Sequence, residues 1–140
     1  MKKYLSHGTH ILLDAFNVSN KLLNDSDYLK SILINAANLS GVTVLGSIEH
    51  KFNPVGVTLI VMLSESHFSI HTYVDLDNKS DFGMFMADGF TCGSQCNPEI
   101  GIAYIVNNLC TDSSIVNIKT LSRGSKNGIV DLSEMCEIMC

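Results

Sequence analysis

"VTLIVMLSESHFSIHTYV", residues 57–74, is the stretch whose reading decides the fold. Residues 57–63 are a continuous apolar run of strand length. Residues 68–74 are rich in β-branched and aromatic side chains, which suit a pleated surface, and read as a second strand. Between and within them, Ser64, Glu65, Ser66, His67, Ser69, His71 and Thr72 crowd polar and potentially reactive groups. Taken from the residues alone, this cluster is a polar strand end.

The rest of the chain falls into place on either side. Upstream, "THILLDAF" (9–16) reads as a buried strand and residues 24–41 as a helix. Leu29, Ile32, Leu33, Ala36 and Ser40 recur at helical spacing and mark one face. Asp25 or Ser26 caps its start, and Gly41 fits the left-handed stop. Residues 42–52 are strand-like, and "NPVG" (53–56) is a turn. Downstream, 75–81 is a polar loop and 83–93 a strand with a glycine interruption. Residues 97–109 form a helix with Asn97 as cap and Pro98 at its first position. Ile102, Ile105, Val106 and Leu109 make its apolar stripe. Residues 114–122 are a last strand. The tail from Arg123 is weaker and ends in a short amphipathic helix at 132–140. The order is β-α-β-β, then β-β-α-β. That predicts an α+β fold: a two-layer sandwich of antiparallel sheet and helices, built from two βαββ-like halves. The halves meet near Glu65–Ser66.

Bulk properties narrow the function. A chain of 140 residues fits one domain, with 46% hydrophobic and 16% charged residues arguing for a packed core. A net charge of -5 lacks the basic footprint of a nucleic-acid binder. No apolar run approaches the ~18 residues of a membrane span. The start, "MKKYLSHGTHILLDAF", is broken by His7, His10 and Asp14 and does not read as a signal peptide. The five cysteines, Cys92, Cys96, Cys110, Cys136 and Cys140, are odd in number, which points to reduced thiols in the cytoplasm. Cys92/Cys96 and Cys136/Cys140 admit a four-thiolate zinc site. Their spacing is wider than the usual tight pair, however, and no turn glycines frame both, so packing is the better reading for Cys110, Cys136 and Cys140. No metal site is expected at His67 and His71 either. Four residues along a strand separate them by roughly 13 Å. There is no G-x-S-x-G elbow to make Ser66 a hydrolase nucleophile.

The string "ESHFSIHTY" followed by "FTCG" resembles the prokaryotic S-adenosylmethionine decarboxylase proenzymes. "GTHILLDAF", "LLND", "GVTVLGSIEHKFNPVGVTLIVMLSESH" and the "NPE" after the cysteine agree, so the resemblance runs from about residue 8 to about 124. It implies that the chain cuts itself between Glu65 and Ser66, giving residues 1–65 and 66–140. Ser66 becomes a pyruvoyl group, the covalent cofactor with which a substrate amine condenses. His71 matches the processing base, and Thr58 stands where the family commonly has an assisting serine. Cys92, in "FTCG", matches the proton donor for turnover. Phe52 matches an aromatic at the adenine site of S-adenosylmethionine. Tyr73 and Asp75 match an aromatic and an acid that contact substrate. The family's intervening proline is replaced by Val74, and the loop that follows is longer than usual. A homodimer of processed protomers, with its sites at the interface, is also implied.

Two other readings stand beside S-adenosylmethionine decarboxylation for polyamine synthesis. One is a sister pyruvoyl decarboxylase acting on arginine or ornithine, with Asp75, Asp77 and Asp81 meeting the distal cation. The other is an inactive regulatory homologue, whose mark is loss of Ser66, His71 or Cys92. All three residues are present.

Overall fold

The computed structural model describes residues 7–74 and 80–124. Its elements are β1 (Gly8–Ser19), α1 (Asn20–Leu23), α2 (Ser26–Leu39), β2 (Val44–Lys51), β3 (Val57–Leu63), β4 (Ser66–Tyr73), β5 (Phe82–Cys92), α3 (Pro98–Leu109) and β6 (Ile115–Arg123). The expected element order is present, with one addition, the single-turn α1. Its residues carry no helical repeat long enough to read. The α+β two-layer architecture holds. The expected tail helix at 132–140, and with it Cys136 and Cys140, lies outside the described residues, as do Asp75 and Asp77.

The strands form one antiparallel sheet in the order β2-β3-β4-β5-β1-β6. The two halves are therefore not side by side. β1, from the first half, lies between β5 and β6 of the second.

One face of the sheet carries the core. Strand alternation sends Ile11, Leu13 and Ala15 of β1, Leu59 and Val61 of β3, Phe68 and Ile70 of β4, and Phe85 of β5 toward the helices. There they meet Leu29, Ile32, Leu33 and Ala36 of α2 and Ile102, Ile105 and Leu109 of α3. All five stripe residues expected on the first helix are buried, Ser40 as the residue that caps its C-terminal end. The Asp25 carboxylate caps α2 by accepting from the Tyr28 N–H at 3.0 Å, and Gly41 follows at φ 75°. Asn97 precedes α3 as expected but makes no side-chain cap bond. Its backbone N–H goes instead to the Ser40 carbonyl at 2.9 Å, tying α3 to the end of α2.

The glycine interruption in β5 has a packing cause. A Cβ on Gly89 would stand 2.5 Å from the Phe68 ring, and one on Gly101 of α3 would stand 2.8 Å from it. The ring fills the gap between sheet and helix that these two glycines leave.

Among the described residues nothing covers the opposite face of the sheet. The apolar run of β3 is buried only at alternate positions, and Ile60 and Met62 are 40% and 54% exposed. Ile48 on β2 and Met86 on β5 share this open face, at 71% and 42%.

Candidate active site

β3 and β4 are joined by a two-residue turn, Ser64–Glu65, with Leu63 paired to Ser66. The turn is fastened on every side. The Ser64 N–H donates to the Thr43 carbonyl at 2.9 Å, and the Thr43 N–H donates to Glu65 Oε2 at 2.9 Å. The Cys92 N–H donates to the Glu65 carbonyl oxygen at 2.9 Å. Ser66 then enters β4 at φ 146°, a region that residues with side chains rarely adopt and that costs on the order of 1–3 kcal/mol. The Glu65–Ser66 peptide bond thus joins a tethered carbonyl to a strained serine.

Beyond it, on the open face, lies a buried-edge network. The Ser66 hydroxyl sits 3.3 Å from His67 Nδ1, and His67 Nε2 is 3.0 Å from Asp88 Oδ2. His10 Nε2 reaches the same oxygen at 2.6 Å, and the Ser69 hydroxyl donates to Asp88 Oδ1 in a very short contact. Burial pushes the Asp88 carboxyl up, but the donors from Ser69, His10 and His67 outweigh it and hold the group below its ordinary value of 3.8. An ionised carboxylate only accepts, so both imidazoles donate through Nε2–H. That leaves His67 Nδ1 as a free acceptor facing Ser66. On the far side, Arg123 lies 4.6 Å above the Phe90 ring and 3.4 Å from His10 Nδ1. His10, His67 and Asp88 are close enough to ligate one ion, with their ligating atoms all within 4.8 Å. As they stand, both Nε2 atoms are spent on the carboxylate. A cleft of about 460 Å³, lined by Gly46, Ile48, Ile60, Met62, Ser66 and His67, opens onto the serine.

A second cluster lies at the other end of the same strands. Thr58 and His71 are register partners, and Thr58 Oγ1 is 2.8 Å from His71 Nδ1. With Phe52 and Tyr73 they line a cleft of about 380 Å³. A polar groove of about 690 Å³, lined by Lys21, Asp25, Lys51 and Asp81, adjoins this cleft through Val55 and Val74.

Of the site residues expected from sequence, Glu65, Ser66 and Cys92 therefore come together at one end. Phe52, Thr58, His71 and Tyr73 come together at the other. Asp75 lies outside the described residues. The five residue steps from Ser66 to His71 span about 16 Å of extended strand, so a single protomer does not bring the two groups into contact. His10 and Asp88 were not expected here, and Ser69 only as a member of the polar cluster. Alternation along 86–92 places Asp88 and Cys92 on one face, but only the β4–β5 and β1–β5 registers reveal what they meet.

The chain is similar in sequence and in fold to known proteins. The family described as S-adenosylmethionine decarboxylase matches residues 9–124. The S-adenosylmethionine decarboxylase proenzyme 2 of Bacillus cereus is 42% identical over 122 residues, covering 87% of this chain and 93% of its own. The S-adenosylmethionine decarboxylase proenzyme of Methanococcus vannielii is 36% identical over 129 residues, covering 91% of this chain and 95% of its own. The crystal structure of the adenosylmethionine decarboxylase from Aquifex aeolicus superposes with a TM-score of 0.66 at 26% identity, covering 90% of this chain and 94% of that one.

Proposed function

This chain belongs to the S-adenosylmethionine decarboxylase family, and from that premise we propose that it is a self-cleaving, pyruvoyl-dependent S-adenosylmethionine decarboxylase. On this reading it works in the cytoplasm as a homodimer of processed protomers, and its decarboxylated product feeds polyamine (spermidine) synthesis. The observation that carries the reading is the Glu65–Ser66 junction. A strained serine follows a carbonyl whose oxygen already holds the Cys92 N–H at 2.9 Å.

Each residue then has a task. Attack of the Ser66 hydroxyl on the Glu65 carbonyl places negative charge on the oxygen that Cys92 N–H faces, the requirement for an oxyanion donor. The amide becomes an ester, and the strain at Ser66 favours release. His71, hydrogen-bonded to Thr58, removes the Ser66 α-proton so that the ester eliminates, releasing the Glu65 carboxylate. The resulting dehydroalanine tautomerises to an imine that water hydrolyses to the ketone with loss of ammonia. The pyruvoyl group left behind supplies an electron sink for decarboxylation. The Cys92 side chain, on the exposed end of β5, protonates the substrate carbon. Phe52 and Tyr73 offer faces for the adenine and the sulfonium.

The 16 Å between half-sites supports a homodimer. Two open faces packed together cover Ile48, Ile60, Met62 and Met86. They also set Thr58 and His71 of one protomer against Ser66 of its partner.

The test is direct. Intact mass is expected to resolve residues 1–65 and 66–140, the second beginning with a pyruvoyl group. Labelled S-adenosylmethionine is expected to release CO₂ faster than labelled arginine or ornithine. A chain left whole with Ser66 unmodified overturns the self-cleavage. Preference for arginine or ornithine moves the protein to the sister chemistry.

A further inference from the structure

Self-cleavage needs two separate proton transfers. The Ser66 hydroxyl must lose its proton as it attacks, and later the α-carbon must lose another. His71 is assigned the second, which leaves the first without a base. We propose that His67 takes the hydroxyl proton and that Asp88 positions it for this step, an assignment that rests on the self-cleavage reading above.

The geometry is specific to the first step. His67 Nδ1 is 3.3 Å from Ser66 Oγ, a contact that tightens readily from a resting arrangement. Asp88 fixes the tautomer, because its carboxylate accepts Nε2–H at 3.0 Å and leaves Nδ1 bare. Ser69 and His10 in turn fix the carboxylate, so it does not swing to another partner. On the other side of the scissile bond, the Cys92 N–H is aimed at the oxygen that receives the charge. Base, nucleophile and oxyanion donor are therefore all present at one end of a single protomer, whereas that protomer's His71 lies about 16 Å along β4.

The step balances. The Oγ–H proton passes to His67 Nδ1 as Oγ bonds to the Glu65 carbonyl carbon, making a tetrahedral oxyanion. The C–N bond then breaks, and the Ser66 nitrogen takes the proton back from the imidazolium. The products are an ester and a free amine, with His67 and Asp88 restored. Histidine suits this shuttle because one imidazole nitrogen serves as base and then as acid.

The ester is trapped with hydroxylamine, which cuts it and leaves Ser66 as an intact serine. In the His71→Ala chain, the ester is expected to accumulate and yield residues 1–65 and 66–140. Adding His67→Ala is expected to slow that release by ~10²–10⁴-fold, with added imidazole restoring part of it from the cleft beside Ser66. In the absence of His67, Asp88→Asn is expected to cost nothing further, since Asp88 acts through it. Circular dichroism confirms that each variant is folded. Ester forming as fast without His67, or a loss that imidazole does not touch, overturns the assignment. Failure of both wild type and His71→Ala to cut or to yield to hydroxylamine overturns instead the self-cleavage on which it rests.

Discussion

Cys92 meets the site through two different atoms: a backbone N–H that donates to Glu65 and a thiol on the exposed end of β5. Substitution separates them. Cys92→Ala keeps the N–H and is expected to self-cleave, while CO₂ release falls by ~10²–10⁴-fold for the loss of a positioned acid. Fragment masses and a CO₂ assay on one preparation check both halves. Asp88 offers a second test at this scale. Its folded carboxyl sits below its ordinary value of 3.8, so the folded state binds that proton less readily than the unfolded chain does. Its stabilisation is therefore complete above the ordinary value and is lost as pH falls through the lowered one. Asp88→Asn is expected to lower the urea midpoint at neutral pH, and the gap from wild type is expected to close in acid. A gap that widens in acid contradicts the hydrogen bonding that favours the ionised carboxylate.

Packing between elements concentrates on Phe68, whose ring occupies the space above Gly89 of β5 and Gly101 of α3. Gly89→Ala is expected to destabilise by about 1–3 kcal/mol through overpacking. Phe68→Leu in the same chain is expected to recover part of that in urea unfolding. The sequence foretold such elements unevenly. The α2 stripe was legible because Leu29, Ile32, Leu33, Ala36 and Ser40 follow a helical period, and burial follows period. α1 was not, because four residues carry no period. The run in β3 marked a strand, yet it did not reveal that Ile60 and Met62 face outward, since both faces of that strand are apolar. Ser66, His71 and Cys92 were singled out through the strings around them. The His67–Asp88–His10 network was not, because His10 and Asp88 are 78 residues apart and meet only through the β1–β5 register.

The whole molecule, on the homodimer reading, has two divided sites, each needing Ser66 from one protomer and His71 from the other. Ser66→Ala and His71→Ala are each expected to stay uncut alone. Co-expressed with different tags, they assemble one good site, and the expected outcome is cleavage of the His71→Ala chain only. Mass spectrometry of the tagged fragments checks this. Absence of cleavage in the co-expressed pair, with wild type cutting normally, overturns the divided site.

The interleaved strand order gives such a cut a lasting effect. Of the five ladders, β3–β4, β5–β1 and β1–β6 would each join one fragment to the other. β1 would be a guest strand, clasped on both edges by a chain to which it is no longer bonded. Native mature protein is then held as firmly as its precursor. Once melted, however, its pieces must find each other by diffusion, so recovery becomes a second-order event that dilution slows. Maturation on this plan is a one-way gate: the precursor can refold alone, and the finished molecule cannot.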